Sequence, residues 1–293
     1  MLILQLLISG ILLGGVYILA SIGLTLIFGV AKVVNFAHGE ILMLGMYLTY
    51  WFYTLFNLDP TFSIILIVPI FFLIGTLMYM FVIRPSLNAP ELTQVFATLG
   101  LSILLQNLAL TLWGADYRTV KTFYSDTVFT LGPDISISVS RLVAFVTSLI
   151  ILAILILFLN KTYIGKAIQA VSQDRSAAML MGISVKKIYM VAVGIGCACA
   201  GLAGALLIPQ YYAFPTAGVS FILISFVVVV LGGIGSIPGA IVGGILVGLL
   251  ESITGLFVPE LKEASYFIFF IIILIIRPYG LFGVKGSEQE GAR

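Results

Sequence analysis

Charge is what this chain has least of: Asp, Glu, Lys and Arg make up 9% of its 293 residues, against about 25% in an ordinary soluble domain. That scarcity excludes a water-solvated surface of normal extent. A mean hydropathy of +1.22 points to lipid as the main solvent. Histidine occurs once and cysteine twice. Cys197 and Cys199 lie two apart on one expected helix, so their side chains point to separated faces and cannot bridge. With a single histidine, a His/Cys zinc site is not expected, and no metal is assigned. No Gly-x-x-x-x-Gly-Lys-Ser/Thr occurs, so no nucleotide cofactor is expected in this chain. An intramembrane enzyme using His38 and Glu40 gains little support, because paired membrane aspartates are missing as well. The opening Met-Leu-Ile-Leu-Gln-Leu-Leu lacks a basic n-region and reads as a retained span. A net charge of +2 gives no ground for a nucleic-acid partner.

What is present is a succession of hydrophobic runs. The length accommodates about eight to ten spans of about 20 residues, an all-α polytopic membrane protein with residues 1–293 as one transmembrane domain. The first span covers 3–28, and Lys32-Val-Val-Asn-Phe-Ala-His-Gly-Glu40 then interrupts the run. The second covers 41–56, and the third ends at Ile83, where Arg84 and Pro85 combine charge with a helix breaker. Pro90-Glu91 opens a fourth, ending near Trp113. It carries Gln94, Thr98, Ser102 and Gln106 at i+4 spacing beside Asn107. Such a stripe turns inward in lipid, as interhelical glue or as a substrate path.

Over residues 114–140 the period changes to two. Ile135, Ile137 and Val139 alternate with Ser136, Ser138 and Ser140 after a Gly132-Pro133-Asp134 turn, a pattern for a short β-hairpin at the membrane surface. Asp116, Arg118, Lys121 and Asp126 equip it either for docking a partner or for a lid on its own subunit. Spans at 142–159 and 188–208 flank a mixed-polarity stretch, 161–187. There Asp174 is placed to cap a short helix over 175–181 that Gly182 closes in the left-handed conformation. Ile168, Val171, Ala178 and Met179 form its apolar arc, opposite Lys166, Gln169, Gln173 and Ser176. A helix of about two turns is unstable alone, so it must be received by packing, as a docking helix is.

A glycine-rich break, Gly232-Gly-Ile-Gly-Ser-Ile-Pro-Gly239, separates two further runs and parallels the break at 35–40. The pair reads as a pseudo-repeat whose breaks lie near each other at or below mid-membrane. Asn35, His38, Glu40, Thr98, Ser102, Gln106, Gly235 and Ser236 are the translocation-path candidates. For His38 and Glu40 the alternative is a hydrogen-bonded pair that holds the bend. A final span over 265–276 ends at Arg277-Pro278. Alternating the spans gathers 10 of the 14 basic residues on one face, which the positive-inside rule makes cytoplasmic. The C-terminus and the 161–187 segment then lie inside and the hairpin outside.

Asn35-Phe-Ala-His-Gly-Glu40, Ala97-Thr-Leu-Gly-Leu-Ser-Ile-Leu-Leu-Gln-Asn107, the 174–182 helix, Val230-Leu-Gly-Gly-Ile-Gly-Ser-Ile-Pro-Gly239 and Arg277-Pro-Tyr-Gly-Leu-Phe-Gly283 together resemble the permease subunit of branched-chain amino-acid ABC importers. The likeness runs through nearly the whole chain in order. It implies a bacterial or archaeal inner-membrane permease that pairs with a second permease subunit, two cytosolic ATP-binding subunits and an extracytoplasmic solute-binding protein. Ser176-Ala-Ala-Met-Leu-Met-Gly182 is similar to the coupling motif Glu-Ala-Ala, three residues, Gly, with Ser176 in place of the glutamate. Asp174, Arg175, Ser176, Ala177, Ala178 and Gly182 are thereby implied in ATPase coupling. Leucine, isoleucine and valine are the favoured solutes, with urea and short amides as the runner-up. A passive channel or secondary transporter for a small polar solute would explain the broken helices but leaves the capped helix without a task.

Overall fold

Helices account for nearly all the regular structure because the apolar runs have no water to satisfy their backbone groups and must satisfy them internally. A computed structural model of the chain describes residues 2–125, 127–130 and 136–283. Its helices are α1 (Leu2–Ala31), α2 (His38–Phe56), α3 (Pro60–Ser86), α4 (Glu91–Trp113), α5 (Val139–Lys161), α6 (Tyr163–Gln173), α7 (Arg175–Leu180), α8 (Val185–Leu207), α9 (Ala217–Gly232), α10 (Ile237–Phe257) and α11 (Lys262–Ile276). Six of them, α1, α3, α4, α5, α8 and α10, are long and apolar enough to cross a membrane. The other apolar helices differ from the uniform spans expected: α9 has 16 residues and α11 has 15, while α2 carries His38 and Glu40 in its first turn.

Arg84 and Pro85 do not stop α3 at Ile83. A π-helical turn over Tyr79–Ile83 takes up the irregularity and the helix continues through Ser86, where Ser86 Oγ donates to Val82 O and Ile83 O. A π-bulge absorbs one extra residue without leaving the helix, so charge and proline together did not break it here.

The hairpin forms as two three-residue strands, β1 (Val128–Thr130) and β2 (Ser136–Ser138), paired antiparallel with Phe129 opposite Ile137. Val139 and Ser140, expected in the strand, instead open α5. Asp126, Ile135 and the Gly132-Pro133-Asp134 turn lie outside the described residues. The strands lie at one end of the bundle, and α6 and α7 lie at the other.

Helices α1 and α8 form the buried centre, flanked by α2, α3, α9 and α10. Close packing rests on small residues, since hydrocarbon provides no hydrophobic drive between helices. A Cβ on Gly45 of α2 would overlap the Gly201 backbone of α8, and one on Gly204 would overlap Leu42 O. Cys197 and Cys199 are buried free thiols on that same helix, and Gly196, Ala200 and Gly204, spaced at i+4, are likewise buried. Gly100 on α4, by contrast, has nothing within 4 Å of an added Cβ. Gly45→Val should therefore cost about 1–3 kcal/mol of overpacking and lower the thermal midpoint of the detergent-purified protein, whereas Gly100→Val should leave it in place.

Candidate functional site

The chain leaves α1 at Ala31 and turns back into the bundle before α2 begins. His38 Nε2 donates to Ala20 O at 2.8 Å, and Ala20 stands eleven residues before the end of α1, about 17 Å along its axis. Helix α2 therefore starts well inside the bundle. Irregular backbone at that depth requires internal partners, and three polar side chains provide them. Asn35 Oδ1 accepts from Ala37 N at 3.1 Å, Thr98 Oγ1 donates to Val34 O at 3.1 Å, and His38 anchors the first turn. Asn35 Nδ2 also donates to Met78 Sδ at 3.8 Å. These three candidates hold the bend; Asn35, His38 and Thr98 are each fully buried.

Glu40, in the first turn of α2, is 1% exposed. Gln106 Nε2 donates to its Oε1 at 2.7 Å and Ser102 Oγ at 3.3 Å. The expected inward turn of the α4 stripe is thus observed for Thr98, Ser102 and Gln106, while Asn107 is spent on its own helix through Ile103 O. Ser102 is the central residue of α4, which sets the Glu40 cluster at mid-span. Glu40 Oε2 is buried without a hydrogen-bond partner among the described residues and packs on Gly218, where a Cβ would overlap it. Gly218 lies in the first turn of α9, and Gly39 meets the Gly218 backbone just as closely. Two helix N-termini thus converge on one carboxylate, and their partial positive charge favours an anion there.

This arrangement corrects two expectations. His38 and Glu40 do not pair: each reaches a different element, and His38 Nδ1 has no hydrogen-bond partner among the described residues. The two breaks are not neighbours either. The 35–40 break meets α9 at Gly218, Ile222 and Phe226, the last through Phe36 at a ring separation of 6.0 Å. The 232–239 break is at the far end of the same helix, about 21 Å from Gly218. There Gly235, at φ +77°, lies against Gly29, and Ser236 Oγ accepts from Gly239 N to start α10. The C-terminal segment returns to seal this end, with Leu281 N and Phe282 N donating to Leu231 O and Gly232 O. A 240 Å³ cavity joins Gly235 and Ser236 to Ile168, Gln169 and Ser172 of α6.

At that end the capping is as expected. Asp174 Oδ1 accepts from Ser176 N at 2.8 Å and Ala177 N at 3.0 Å. Gly182 takes φ +79°, and the bonds Gly182 N to Met179 O and Ile183 N to Ala178 O close α7 in a Schellman motif. The helix ends at Leu180, one residue early. Arg175 stacks on Tyr189 of α8 at 5.8 Å. Ile168, Val171 and Ala178 are buried in their own subunit, but Met179 is not: Met179, Leu180 and Met181 project together, the latter two 89% and 81% exposed. Lys166, Gln173 and Ser176 are exposed as expected, and Gln169 bonds back to Leu159 O and Asn160. At the hairpin end, Arg118 is not a rim charge. Its guanidinium donates to Trp113 O and lies over Tyr50 and Trp51.

Sequence reasoning missed a second polar cluster. Glu251 of α10 is 4% exposed, accepts from Tyr17 of α1 at 2.5 Å and pairs with Lys262 of α11 at 2.5 Å. The signal was available, since Glu251 is the lone charge in the 237–257 run and intramembrane ionisable residues default to function. Among the described residues no cluster of three His, Cys, Asp or Glu could hold a metal ion.

Apolar spans, a polar cluster buried at mid-span and a capped amphipathic segment at one end define a multi-pass membrane protein of the permease kind. Residues 6–277 match the model of the branched-chain amino acid transport system / permease component family, and the chain belongs to that family. It is 30% identical to the high-affinity branched-chain amino acid transport system permease protein LivH of Salmonella typhimurium, over 98% of this chain and 97% of that one. It is 31% identical to the corresponding protein BraD of Pseudomonas aeruginosa, again over 98% and 97%. The ribose import permease protein RbsC of Haemophilus influenzae is 30% identical over 70% of this chain and 64% of its own. No solved structure shows a significant match.

The Glu40 cluster can be tested by its energetics. Gln106→Leu removes a hydrogen bond to a charged group, worth about 1.5–3 kcal/mol, and should lower the thermal midpoint. Glu40→Leu combined with Gln106→Leu replaces both partners with apolar groups and should restore much of the loss, a coupling read directly from a double-mutant cycle.

Proposed function

We propose that the chain is a permease subunit of an ATP-driven importer for branched-chain or closely related amino acids in a bacterial or archaeal plasma membrane. It forms the translocation path with a second permease subunit and takes its energy from two cytosolic ATP-binding subunits, which carry ATP and Mg. A solute-binding protein delivers the solute at the hairpin end, and the C-terminus is cytoplasmic with α6 and α7. The observation that carries the reading is the end-to-end likeness to LivH together with the apolar tip at Met179, Leu180 and Met181. An exposed triad of this kind outside the hydrocarbon has the character of an anchor for a partner's groove.

Within that reading the residues divide by task. Asp174 and Gly182 fix both ends of α7, Arg175 and Ala178 fasten it to the membrane helices, and Ser176 and Ala177 supply the capped N–H groups. Glu40, Ser102 and Gln106 are the path candidates, while Asn35, His38 and Thr98 hold the bend that places Glu40. Gly235 and Ser236 connect the path helix α9 to α6. The likeness to RbsC extends to a permease named for another solute, so substrate is a separate question from class. The passive-channel alternative provides no use for the exposed triad.

Leu180→Asp puts a charge in the triad without touching the bundle. Gly182→Val strains a left-handed residue by about 1–2 kcal/mol where nothing lies within 4 Å of the new Cβ. Both variants should reach the membrane at parental levels yet lose solute-stimulated ATP hydrolysis and leucine uptake in the reconstituted importer. Lys166→Ala, an exposed charge, should keep both. Parental uptake by Leu180→Asp and Gly182→Val would remove the mechanical basis of the importer reading.

A further inference from the structure

The Glu40 cluster is closed over, so any solute must first be held elsewhere, and one cavity stands above it. It measures 420 Å³, within the usual range for small-molecule sites, and opens among α1, α9, α10, α11 and the 208–216 segment. Tyr211, Phe214, Phe221 and Tyr266 give it apolar walls. Ala217 at the start of α9 lines it, immediately before the Gly218 that covers Glu40. The cavity and the Glu40 cluster are therefore separated by the first turn of one helix.

Its charged groups are an opposed pair, Glu251 and Lys262, with Glu263 exposed beside them. Glu251 is buried with both oxygens engaged, Oε2 by the Tyr17 hydroxyl and Oε1 by the Lys262 ammonium. The Lys262 side chain is 39% exposed. Glu251, Lys262 and Tyr211 also line a second cavity of 270 Å³ that contains Arg141 and Ser252, so the pair stands between two spaces. A half-buried ion pair in hydrocarbon contributes little stability after its desolvation cost, which leaves exchange of partners as its use. Gln210 adds a buried amide nitrogen with no acceptor among the described residues.

We propose that this cavity is a holding chamber for a zwitterionic amino acid with an apolar side chain. The solute's α-ammonium takes the place of Lys262 on Glu251, the freed Lys262 receives its α-carboxylate, and its side chain lies against Tyr211, Phe214 and Phe221. One protein ion pair is exchanged for two protein–solute pairs, so the chamber admits no uncompensated charge. Urea and short amides lack both charges and could not drive the exchange. The proposal rests on the importer reading and names where that importer holds its solute within this chain.

The test uses the complete importer in proteoliposomes with Ser220→Cys as a reporter. Ser220 is exposed and lines the cavity, and the native Cys197 and Cys199 are buried. A membrane-impermeant, sulfonated maleimide added from the hairpin side should alkylate the new thiol by conjugate addition, and leucine should slow the reaction. Isoamylamine and 4-methylpentanoate, each lacking one charge, should protect much less, and urea not at all. Glu251→Gln in the same background should lose the protection by leucine while alkylation itself persists, an effect that a merely structural carboxylate would not produce. Three results overturn the chamber: no alkylation, no protection by leucine, or full protection retained in Glu251→Gln. Leucine uptake by the unsubstituted importer is measured alongside. Uptake without protection sinks the chamber alone, whereas absence of uptake counts against the importer reading.

Discussion

Backbone that leaves a helix inside a membrane must find every hydrogen bond within the protein, and the stretch from Val34 to His38 is where that constraint is met. Its solution is made of side chains: Asn35 folds back on Ala37 N, Thr98 reaches across from α4 to Val34 O, and His38 crosses to Ala20 O. Once those bonds are fixed, α2 has to begin inside the bundle, and Glu40 has to lie beside the centre of α4. The polar stripe on α4 is the complement of this bend. Thr98 satisfies its backbone while Ser102 and Gln106, one and two turns on, donate to one oxygen of the Glu40 carboxylate. A single helical period therefore serves both a structural and a chemical requirement.

The same depth needs close packing, which glycine provides where helices approach backbone to backbone. Gly39 against Gly218 brings the first turns of α2 and α9 together, and Gly45 against Gly201 lets α8 pass behind α2. The first of these contacts brings a second helix N-terminus to Glu40. Bulk there would separate the two starts and leave the carboxylate in apolar surroundings with two donors only. Packing and electrostatics are in this sense one decision, taken at two residues without side chains.

Much of this was legible in the sequence because it is local. The cap at Asp174, the left-handed Gly182, the two-residue period of the hairpin and the i+4 stripe on α4 each depend on neighbours within a few positions, and each appears close to where it was expected. What was not legible depends on residues far apart in the chain. The 35–40 break invited comparison with 232–239 because both interrupt apolar runs, yet its spatial counterpart is the entry to α9 at Ala217 and Gly218, where no comparable glycine-rich run marks the sequence. Glu251 pairs with Tyr17 across 234 positions, and no period links α1 to α10. Met179 belongs to the apolar arc by helical geometry, but the helix ends at Leu180, two residues after Ala178, and Met179 lies outside the packed contact. Arg118 reads as a surface charge until Tyr50 and Trp51 are brought beneath it.

Helix α9 touches the Glu40 cluster, the cavity above it and the returning C-terminal backbone. Its first turn carries Gly218 against Glu40 and Ala217 at the floor of the 420 Å³ cavity. Its last turn is held by the returning 281–282 backbone and leads into Gly235 and Ser236 beside α6. A helix is stiff along its axis, since shortening it would break hydrogen bonds in series. A shift imposed on the last turn of α9 would therefore arrive at Gly218 as a shift of similar size, with little absorbed between. The contact at Gly218 is too close to be compressed, so movement of α9 must either carry Glu40 with it or part the two helix starts. Either outcome changes the wall between the cavity and the Glu40 cluster.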